Sequence, residues 1–201
     1  MSQCVTYVVR NSLCVNMTNR CTCNCDFCER RHRNGVGDAD SLWLEHEPAR
    51  EEIWADIAAR DLNVYNELLF CGFGEPTIRL DDLLWVAKKA KETMPSLSIR
   101  INTNGHASLI ANRDVTPELA GIIDALNVSL NRADAARYTE HMKPIYGEAA
   151  YDGLLDFAAK AKNFVPSVAL SVLDVLDEDE LAQCMKIAER LGLPLRVRKY
   201  H

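Results

Sequence analysis

The chain has 201 residues, of which 48% are hydrophobic and 26% charged, and this composition predicts one globular domain over residues 1–201. A net charge of −6 argues against a general nucleic-acid binder. Residues 1–10 lack the basic and apolar regions of a signal peptide, and no run of about 18 apolar residues occurs, so we expect a cytoplasmic protein without a membrane span.

Strands and helices are predicted to alternate along the chain. A short strand is predicted at residues 5–9, followed by strands at 13–18, 68–71, 97–103, 125–131, 165–173 and 195–200. Helices are predicted at residues 48–62, 81–93, 116–123, 149–163 and 177–191. Six strands separated by helical segments indicate parallel βα units.

Most of these strands alternate strictly between apolar and polar residues, as Ile99 and Ile101 do with Arg100 and Asn102. The apolar face would pack against helices, and the polar face would line the inside of a curved sheet. Unmatched polar groups are costly to bury, so a lining of this kind favours a wet ligand-binding cavity. The sequence therefore predicts an α/β fold: a partial, open (βα)6 barrel of parallel strands with helices outside.

Four cysteines lie within eight residues, and Cys21, Cys25 and Cys28 have the spacing C-x3-C-x2-C. Three thiolates can hold a soft metal or an iron–sulfur cluster. A [4Fe–4S] cluster held by three cysteines keeps one iron open to a non-protein ligand. A structural zinc site needs a fourth ligand, which Cys23 or His32 could supply. A non-catalytic zinc protein and an iron–sulfur electron-transfer protein are therefore the alternatives from another class.

Unusual segments follow four strands, at the end of the sheet where ligands bind in parallel α/β folds. One is the cysteine segment. The others are Gly72-Phe73-Gly74-Glu75-Pro76, Asn102-Thr103-Asn104-Gly105 and Ser129-Leu130-Asn131.

Together these segments resemble the radical S-adenosylmethionine (SAM) superfamily. The three-cysteine motif matches, with Phe27 just before its third cysteine. The family's Gly-Gly-Glu-Pro motif is similar to Phe73-Gly74-Glu75-Pro76, with Phe73 at the first glycine. Asn131 stands where many members have an acid. The chain looks most similar to the TatD-associated radical SAM proteins.

This resemblance implies an enzyme that reductively cleaves SAM to a 5′-deoxyadenosyl radical, which abstracts hydrogen from a substrate. Cys21, Cys25 and Cys28 would bind three irons of a [4Fe–4S] cluster, and SAM would chelate the fourth; Cys23 is not expected to be a ligand. A larger side chain at Gly74 is expected to weaken SAM binding and to spare the cluster. The residues assigned to SAM are Phe27, Gly72, Phe73, Gly74, Glu75, Asn104, Ser129, Asn131 and Ser171.

The substrate is predicted to be anionic or nucleotide-like, because several arginines are expected to point inward. The substrate candidates are Asn16, Arg30, Arg33, Arg100, Lys143, Arg196 and Arg198. An activase that acts on a glycyl-radical enzyme is the alternative within the superfamily. The expected partners are a reductant such as flavodoxin or ferredoxin, a TatD-type hydrolase, and a second copy of the chain or a macromolecular substrate over the open side.

Overall fold

A computed structural model describes residues 3–200 as an α/β fold with seven strands and six α-helices. The strands are β1 (Thr6–Val9), β2 (Ser12–Val15), β3 (Glu67–Phe70), β4 (Ser98–Thr103), β5 (Ala125–Ser129), β6 (Ser167–Leu173) and β7 (Leu195–Arg198). The α-helices are α1 (Arg50–Ala58), α2 (Leu80–Thr93), α3 (Ala107–Ala111), α4 (Ala135–Met142), α5 (Ala149–Ala161) and α6 (Glu178–Leu191). None of the helices in residues 3–200 is long and apolar enough to span a membrane.

The strands are hydrogen-bonded in chain order, from β1 to β7, in one mostly parallel sheet. β2 pairs with β3, β3 with β4 and β6 with β7 in parallel, with Leu13, Leu68 and Ile99 in register across β2, β3 and β4. β1 corresponds to the short strand predicted at residues 5–9, and it is antiparallel to β2. The two-residue turn between them places Arg10 at a φ of 54°.

The chain forms two compact units. Among the described residues, the first contains 3–21, 27–102 and 121–125, and the second contains 22–26, 103–120 and 126–200. Met1, Ser2 and His201 lie outside the described residues. This division does not test the single domain expected over residues 1–201, which stays a prediction.

The first unit has its core on the apolar faces of the strands. On β4, Ile99 and Ile101 are fully buried, whereas Arg100 and Asn102 between them are only half-buried. The alternation that the sequence shows is therefore present in the structure. The helices α1 and α2 contribute buried side chains to the same unit. These include Ile53 and Ile57 from α1 and Leu83 and Val86 from α2.

The second unit contains the helix whose ends the sequence marks most clearly. Asp177 caps the start of α6, because its carboxylate accepts a hydrogen bond from the Glu180 amide at 2.7 Å. Gly192 ends the helix in the left-handed region, with a φ of 65°. Both ends agree with the predicted helix.

Other helices differ from the prediction. The helix expected from residue 48 begins at Arg50, after Pro48, and it ends at Ala58 because the chain turns into a 3₁₀ helix at Leu62–Val64. The helix expected at 116–123 is a 3₁₀ helix confined to Thr116–Leu119. The short helices α3 and α4 were not predicted, and α4 proves important for the cysteine segment.

Candidate active site

The cysteine segment carries the three thiols predicted to hold an iron–sulfur cluster. Cys21, Cys25 and Cys28 are half-buried, Cys23 is buried, and none of them forms a disulfide. Three accessible thiols on one short segment fit the chemistry of a [4Fe–4S] cluster. Within residues 3–200, no group of three or more His, Cys, Asp or Glu side chains is arranged to hold a metal ion. The assignment of the three ligands thus stays a prediction from the motif.

The middle of the cysteine segment is anchored by the end of α4. The amide of Asn24 donates to the Met142 carbonyl at 2.9 Å, and the amide of Asp26 donates to the His141 carbonyl at 3.0 Å. The amide of Ile145 donates back to the Thr22 carbonyl at 2.9 Å. An unpredicted helix therefore fixes the backbone on both sides of the second candidate ligand.

Side-chain charges add to this anchor. Lys143, a candidate substrate residue, forms an ion pair with Asp26, and His141 Nδ1 lies 3.5 Å from the same carboxylate. The hydrogen bond from Lys143, aided by His141, holds the pKa of Asp26 below its usual value. Lys143 thus already has a partner in the cysteine segment.

A buried polar cluster contacts Thr22 and Cys23 of this segment. The Thr22 hydroxyl is 2.9 Å from His106 Nδ1, and the Tyr138 hydroxyl is 3.1 Å from His106 Nε2. Asn104 Nδ2 donates to the Thr22 hydroxyl at 2.8 Å, and Asn104 Oδ1 accepts from the His106 amide at 3.1 Å. The sulfur of Cys23 lies 3.7 Å from Asn104 Nδ2, 3.9 Å from His106 Nδ1 and 4.0 Å from the Tyr138 hydroxyl.

His106 is fully buried, and burial lowers its pKa to about 4, so the imidazole is neutral near pH 7. One ring nitrogen then donates and the other accepts, which matches the hydroxyls of Thr22 and Tyr138 on its two sides. The sequence did not identify this histidine. Its position after Asn104-Gly105 was the available signal, but its partner Tyr138 is 32 residues away.

The glycine turn after β3 is packed against the chain itself. A Cβ atom on Gly74 would lie 2.1 Å from the Thr18 carbonyl oxygen and 2.6 Å from the Arg20 carbonyl oxygen, and one on Gly72 would lie 2.3 Å from Asn16 Oδ1. The Glu75 amide donates to the Arg20 carbonyl at 2.8 Å. The space at Gly74 is thus required by the backbone that leads into the cysteine segment. A side chain there would collide with that backbone whether or not SAM is bound.

The two larger residues of this turn have structural contacts. Phe73 is 5% exposed and packs edge-on against Trp43, with ring centroids 5.2 Å apart, in a cluster that includes Tyr7 and Leu42. Any contact of Phe73 with SAM would therefore use its backbone. Glu75 Oε1 accepts hydrogen bonds from the amide and hydroxyl of Thr77, and it caps the 3₁₀ helix Pro76–Arg79.

Ser129, Asn131 and Ser171, which are also assigned to SAM, lie at the end of β5, just after β5 and on β6. Ser171 is fully buried, and its carbonyl accepts from the Asn131 amide at 3.1 Å, while its hydroxyl accepts from Asn127 Nδ2 at 3.0 Å. Among the described residues, Asn127 Oδ1 and Asn131 Oδ1 are buried without a hydrogen-bond donor. Buried acceptors of this kind favour a ligand that brings its own donors. Ser129 ends β5, half-buried.

Most basic substrate candidates have acidic or carbonyl partners. Arg100 forms a forked ion pair with Glu67, at 2.5 and 2.8 Å. Arg33 lies 3.5 Å from the Glu29 carboxylate, and Arg30 donates to the Asn19 carbonyl at 3.3 Å.

The last candidates differ in exposure. Arg196 and Arg198 are exposed on β7. Asn16 is fully buried and donates to the Leu42 carbonyl at 2.7 Å, and its Oδ1 atom has no hydrogen-bond partner among the described residues. Phe27 is half-buried beside Cys28.

Comparison with known proteins identifies the family. The sequence model of the radical SAM superfamily matches residues 15–190. The chain therefore belongs to the radical SAM superfamily, whose members are enzymes that use a [4Fe–4S] cluster and SAM. The resemblance seen in the sequence is confirmed at this level.

Individual relatives are more distant. The chain is 29% identical over 192 residues to a probable GTP 3′,8-cyclase of Methanocella arvoryzae, covering 93% of this chain and 56% of that protein. It is 25% identical to molybdenum cofactor biosynthesis protein 1 of Drosophila melanogaster, covering 92% of this chain and 31% of that protein. The chain thus spans about half, or less, of the length of these curated relatives.

A solved structure supports the fold. A radical SAM methyltransferase from Sphaerobacter thermophilus has a TM-score of 0.67 to this chain at 13% identity, covering 96% of this chain and 68% of that one. This likeness concerns the fold alone, and it confirms the predicted α/β fold of radical SAM type.

Proposed function

We propose that this chain is a radical SAM enzyme that acts on a nucleotide-like substrate. The observation that carries the proposal is the match of residues 15–190 to the superfamily, together with the three half-buried thiols of Cys21, Cys25 and Cys28. When bound, the cluster and SAM supply an electron and a 5′-deoxyadenosyl radical for hydrogen abstraction. The protein's own residues bind and orient the reactants and exclude water.

Asn131, just after β5, and Ser171, on β6, would receive the polar part of SAM. Asn131 Oδ1 is a buried acceptor, and ribose hydroxyls or the SAM amine are donors that would satisfy it. Ser171 orders this acceptor, because its carbonyl binds the Asn131 amide. The backbone of residues 72–75 is proposed to bind the SAM amine.

The substrate class rests on two arguments. A relative named as a GTP cyclase acts on a nucleotide, and a similar substrate is the simplest extension to this chain. Asn127 Oδ1 is a second buried acceptor, suited to an N–H or hydroxyl donor such as a nucleobase or ribose provides. Because Arg100 is neutralised by Glu67, the exposed Arg196 of β7 is better suited to a phosphate than Arg100 is.

The finer assignments from the sequence are also proposals. We propose membership of the TatD-associated subgroup, a cytoplasmic location and flavodoxin or ferredoxin as reductant. We also propose contacts with a TatD-type hydrolase and with a second copy of the chain. Pull-down with a TatD-type hydrolase would test the first contact, and size-exclusion chromatography of the chain alone would test the second. A monomer that retains no hydrolase would contradict both of them.

The test is anaerobic reconstitution with iron and sulfide, reduction with dithionite and chromatography of the products after addition of SAM. We expect a brown protein that forms methionine and 5′-deoxyadenosine. Adding GTP, or another ribonucleotide from a panel, should raise the rate of SAM cleavage about tenfold or more. The reason is that SAM cleavage coupled to a bound substrate should be faster than SAM cleavage without one.

Three other outcomes would contradict parts of the proposal. Retention of zinc without iron would support the zinc alternative. A reducible cluster whose EPR spectrum does not respond to SAM would support an electron-transfer protein. SAM cleavage that responds to a glycyl-radical enzyme and to no nucleotide would retain the enzyme class and exclude the proposed substrate.

A further inference from the structure

The cysteine segment contains one thiol more than the cluster needs. Cys23 lies between Cys21 and Cys25, two residues from each. A fourth thiolate would be a competent ligand for iron, and it could bind the iron that the three-cysteine arrangement leaves open. Some feature of the protein must therefore keep this sulfur away from the cluster.

The structure contains such a feature within the second unit. Cys23 is 5% exposed, whereas the three candidate ligands are half-buried. Polar atoms within 4.0 Å of its sulfur include Asn104 Nδ2, His106 Nδ1 and the Tyr138 hydroxyl. Amide and hydroxyl donors around a sulfur favour its retention in that position. We call Asn104, His106 and Tyr138 the Cys23 cage.

We propose that the Cys23 cage positions the cysteine segment with the Cys23 sulfur turned into the protein, so that cluster assembly uses three cysteines and leaves one iron for SAM. The inference rests on the proposed function. It assigns His106 and Tyr138 as positioning residues, acting through Cys23 and Thr22 rather than on the reactants, and it gives Asn104 a place in the cage beside the SAM contact predicted from the sequence.

Thr22 links the cage to the backbone of the segment. Its buried hydroxyl contacts His106 Nδ1 at 2.9 Å and accepts from Asn104 Nδ2 at 2.8 Å. On the far side of the imidazole, Nε2 lies 3.1 Å from the Tyr138 hydroxyl. The ring of Tyr146 packs edge-on against the imidazole, with the two ring centroids 5.9 Å apart. The contacts of the imidazole with Thr22, Cys23 and Tyr138 thus help to fix the orientation of residues 22–23. A single lost hydrogen bond in this set should loosen the segment measurably.

The first test measures thiol alkylation of the metal-free full chain, site by site, by mass spectrometry. Tyr138→Phe and Thr22→Val each remove a hydroxyl, and each should raise the alkylation rate of Cys23 relative to that of Cys184 about fivefold, the equivalent of one lost hydrogen bond. Cys184 is fully buried in α6 of the same unit, so it reports general unfolding.

Matched variants separate a local effect from a general one. Tyr151 packs beside Tyr138, and its hydroxyl donates to the Arg132 carbonyl at 3.3 Å. Tyr151→Phe removes this hydroxyl and should leave the ratio of Cys23 to Cys184 alkylation unchanged. Thr22→Ser keeps the hydroxyl and should restore the wild-type ratio. If the ratio of Cys23 to Cys184 alkylation is unchanged in both Tyr138→Phe and Thr22→Val, the inference is overturned. This assay needs no cofactor.

The second test asks whether Cys23 becomes a ligand when the cage is broken. Reconstituted Tyr138→Phe should show a reduced cluster whose EPR spectrum responds to SAM less than that of wild type. Adding Cys23→Ala to this variant should restore the response, because the competing thiol is then absent. A double variant that stays unresponsive would show that the cage has only a general structural role. If wild type itself does not respond to SAM, the proposed function fails, whereas the alkylation result still decides the inference about Cys23.

Discussion

Gly74 and Thr18 approach so closely that a Cβ atom on Gly74 would lie 2.1 Å from the Thr18 carbonyl oxygen. The backbone φ of Gly74 is not in the left-handed region, so the requirement for glycine is one of space. This contact joins the turn after β3 to the residues that lead into the cysteine segment.

Gly74→Ala should therefore destabilise the protein by about 1–3 kcal/mol, since the clash is with backbone that cannot rotate away. Urea unfolding would measure the loss. Iron retention should fall with it, in contrast to the sequence-based expectation that the cluster is spared. Gly147→Ala is a suitable control: its left-handed φ of 58° is strained for alanine, but no atom lies within 4 Å of the new Cβ. A Gly74→Ala protein of wild-type stability with weakened SAM binding would support the original expectation.

Phe73→Ala should lower the free energy of unfolding by about 3–5 kcal/mol, because a buried aromatic side chain leaves a cavity. Its loss also removes the ring contact with Trp43. Phe73→Leu keeps most of the volume and should cost much less. Chemical denaturation with tryptophan fluorescence would follow both variants. Equal stability of Phe73→Ala and wild type would mean that the side chain is not part of the core.

The buried His106 should give the protein a specific sensitivity to acid. Its pKa is lowered from 6.5 to about 4 in the folded chain, so the unfolded chain takes up the proton first as the pH falls. The stability from this residue is fully present above about pH 6.5 and falls by about 3 kcal/mol on approaching pH 4. Urea unfolding of wild type and His106→Gln between pH 7 and pH 4 would show it. Parallel curves for the two proteins would argue against a neutral buried imidazole.

The ion pair of Arg100 and Glu67 should have a measurable coupling energy. Both side chains are about one-fifth exposed, at 22% and 19%, and the pair is forked. A double-mutant cycle with Arg100→Met and Glu67→Gln should give about 0.5–3 kcal/mol of coupling in the free energy of unfolding. Ser12→Ala controls for the hydroxyl that also donates to Glu67 at 2.6 Å. No coupling in the absence of substrate would favour a binding role for Arg100.

Iron analysis of alanine variants should distinguish the three candidate ligands from Cys23. Alanine at Cys21, Cys25 or Cys28 should abolish cluster assembly, because each removes one of three ligands. Cys23→Ala should retain the iron content of wild type. The measurement is iron and sulfide per chain after anaerobic reconstitution. Iron loss in Cys23→Ala would show that the ligand set is misassigned.

The sequence predicted the strands and their two faces well, because burial on one side imposes an alternation that is visible residue by residue. Ile99, Arg100 and Ile101 show it directly. The ends of α6 were equally clear, since Asp177 and Gly192 have distinct roles at helix ends.

The helix α4 was missed for a physical reason. It has eight residues, and only Tyr138 and Met142 are buried, so its apolar pattern is a single pair at four-residue spacing. The one usable signal was Asp134, whose carboxylate caps the helix by accepting from the Arg137 amide at 2.8 Å. The partners that α4 supplies to the cysteine segment are set by tertiary structure and leave no local pattern.

The antiparallel β1 bears on how the chain folds. Its turn to β2 needs only Arg10 and Asn11, whereas Ser12 of β2 and Glu67 of β3 are 55 residues apart. Hairpins of this type form within about 1–10 μs, well before distant parallel strands can meet. The hairpin would then offer the free edge of β2 as a template for β3. Pulsed hydrogen exchange during refolding should find the amides of β1 and β2 protected before those of β6 and β7.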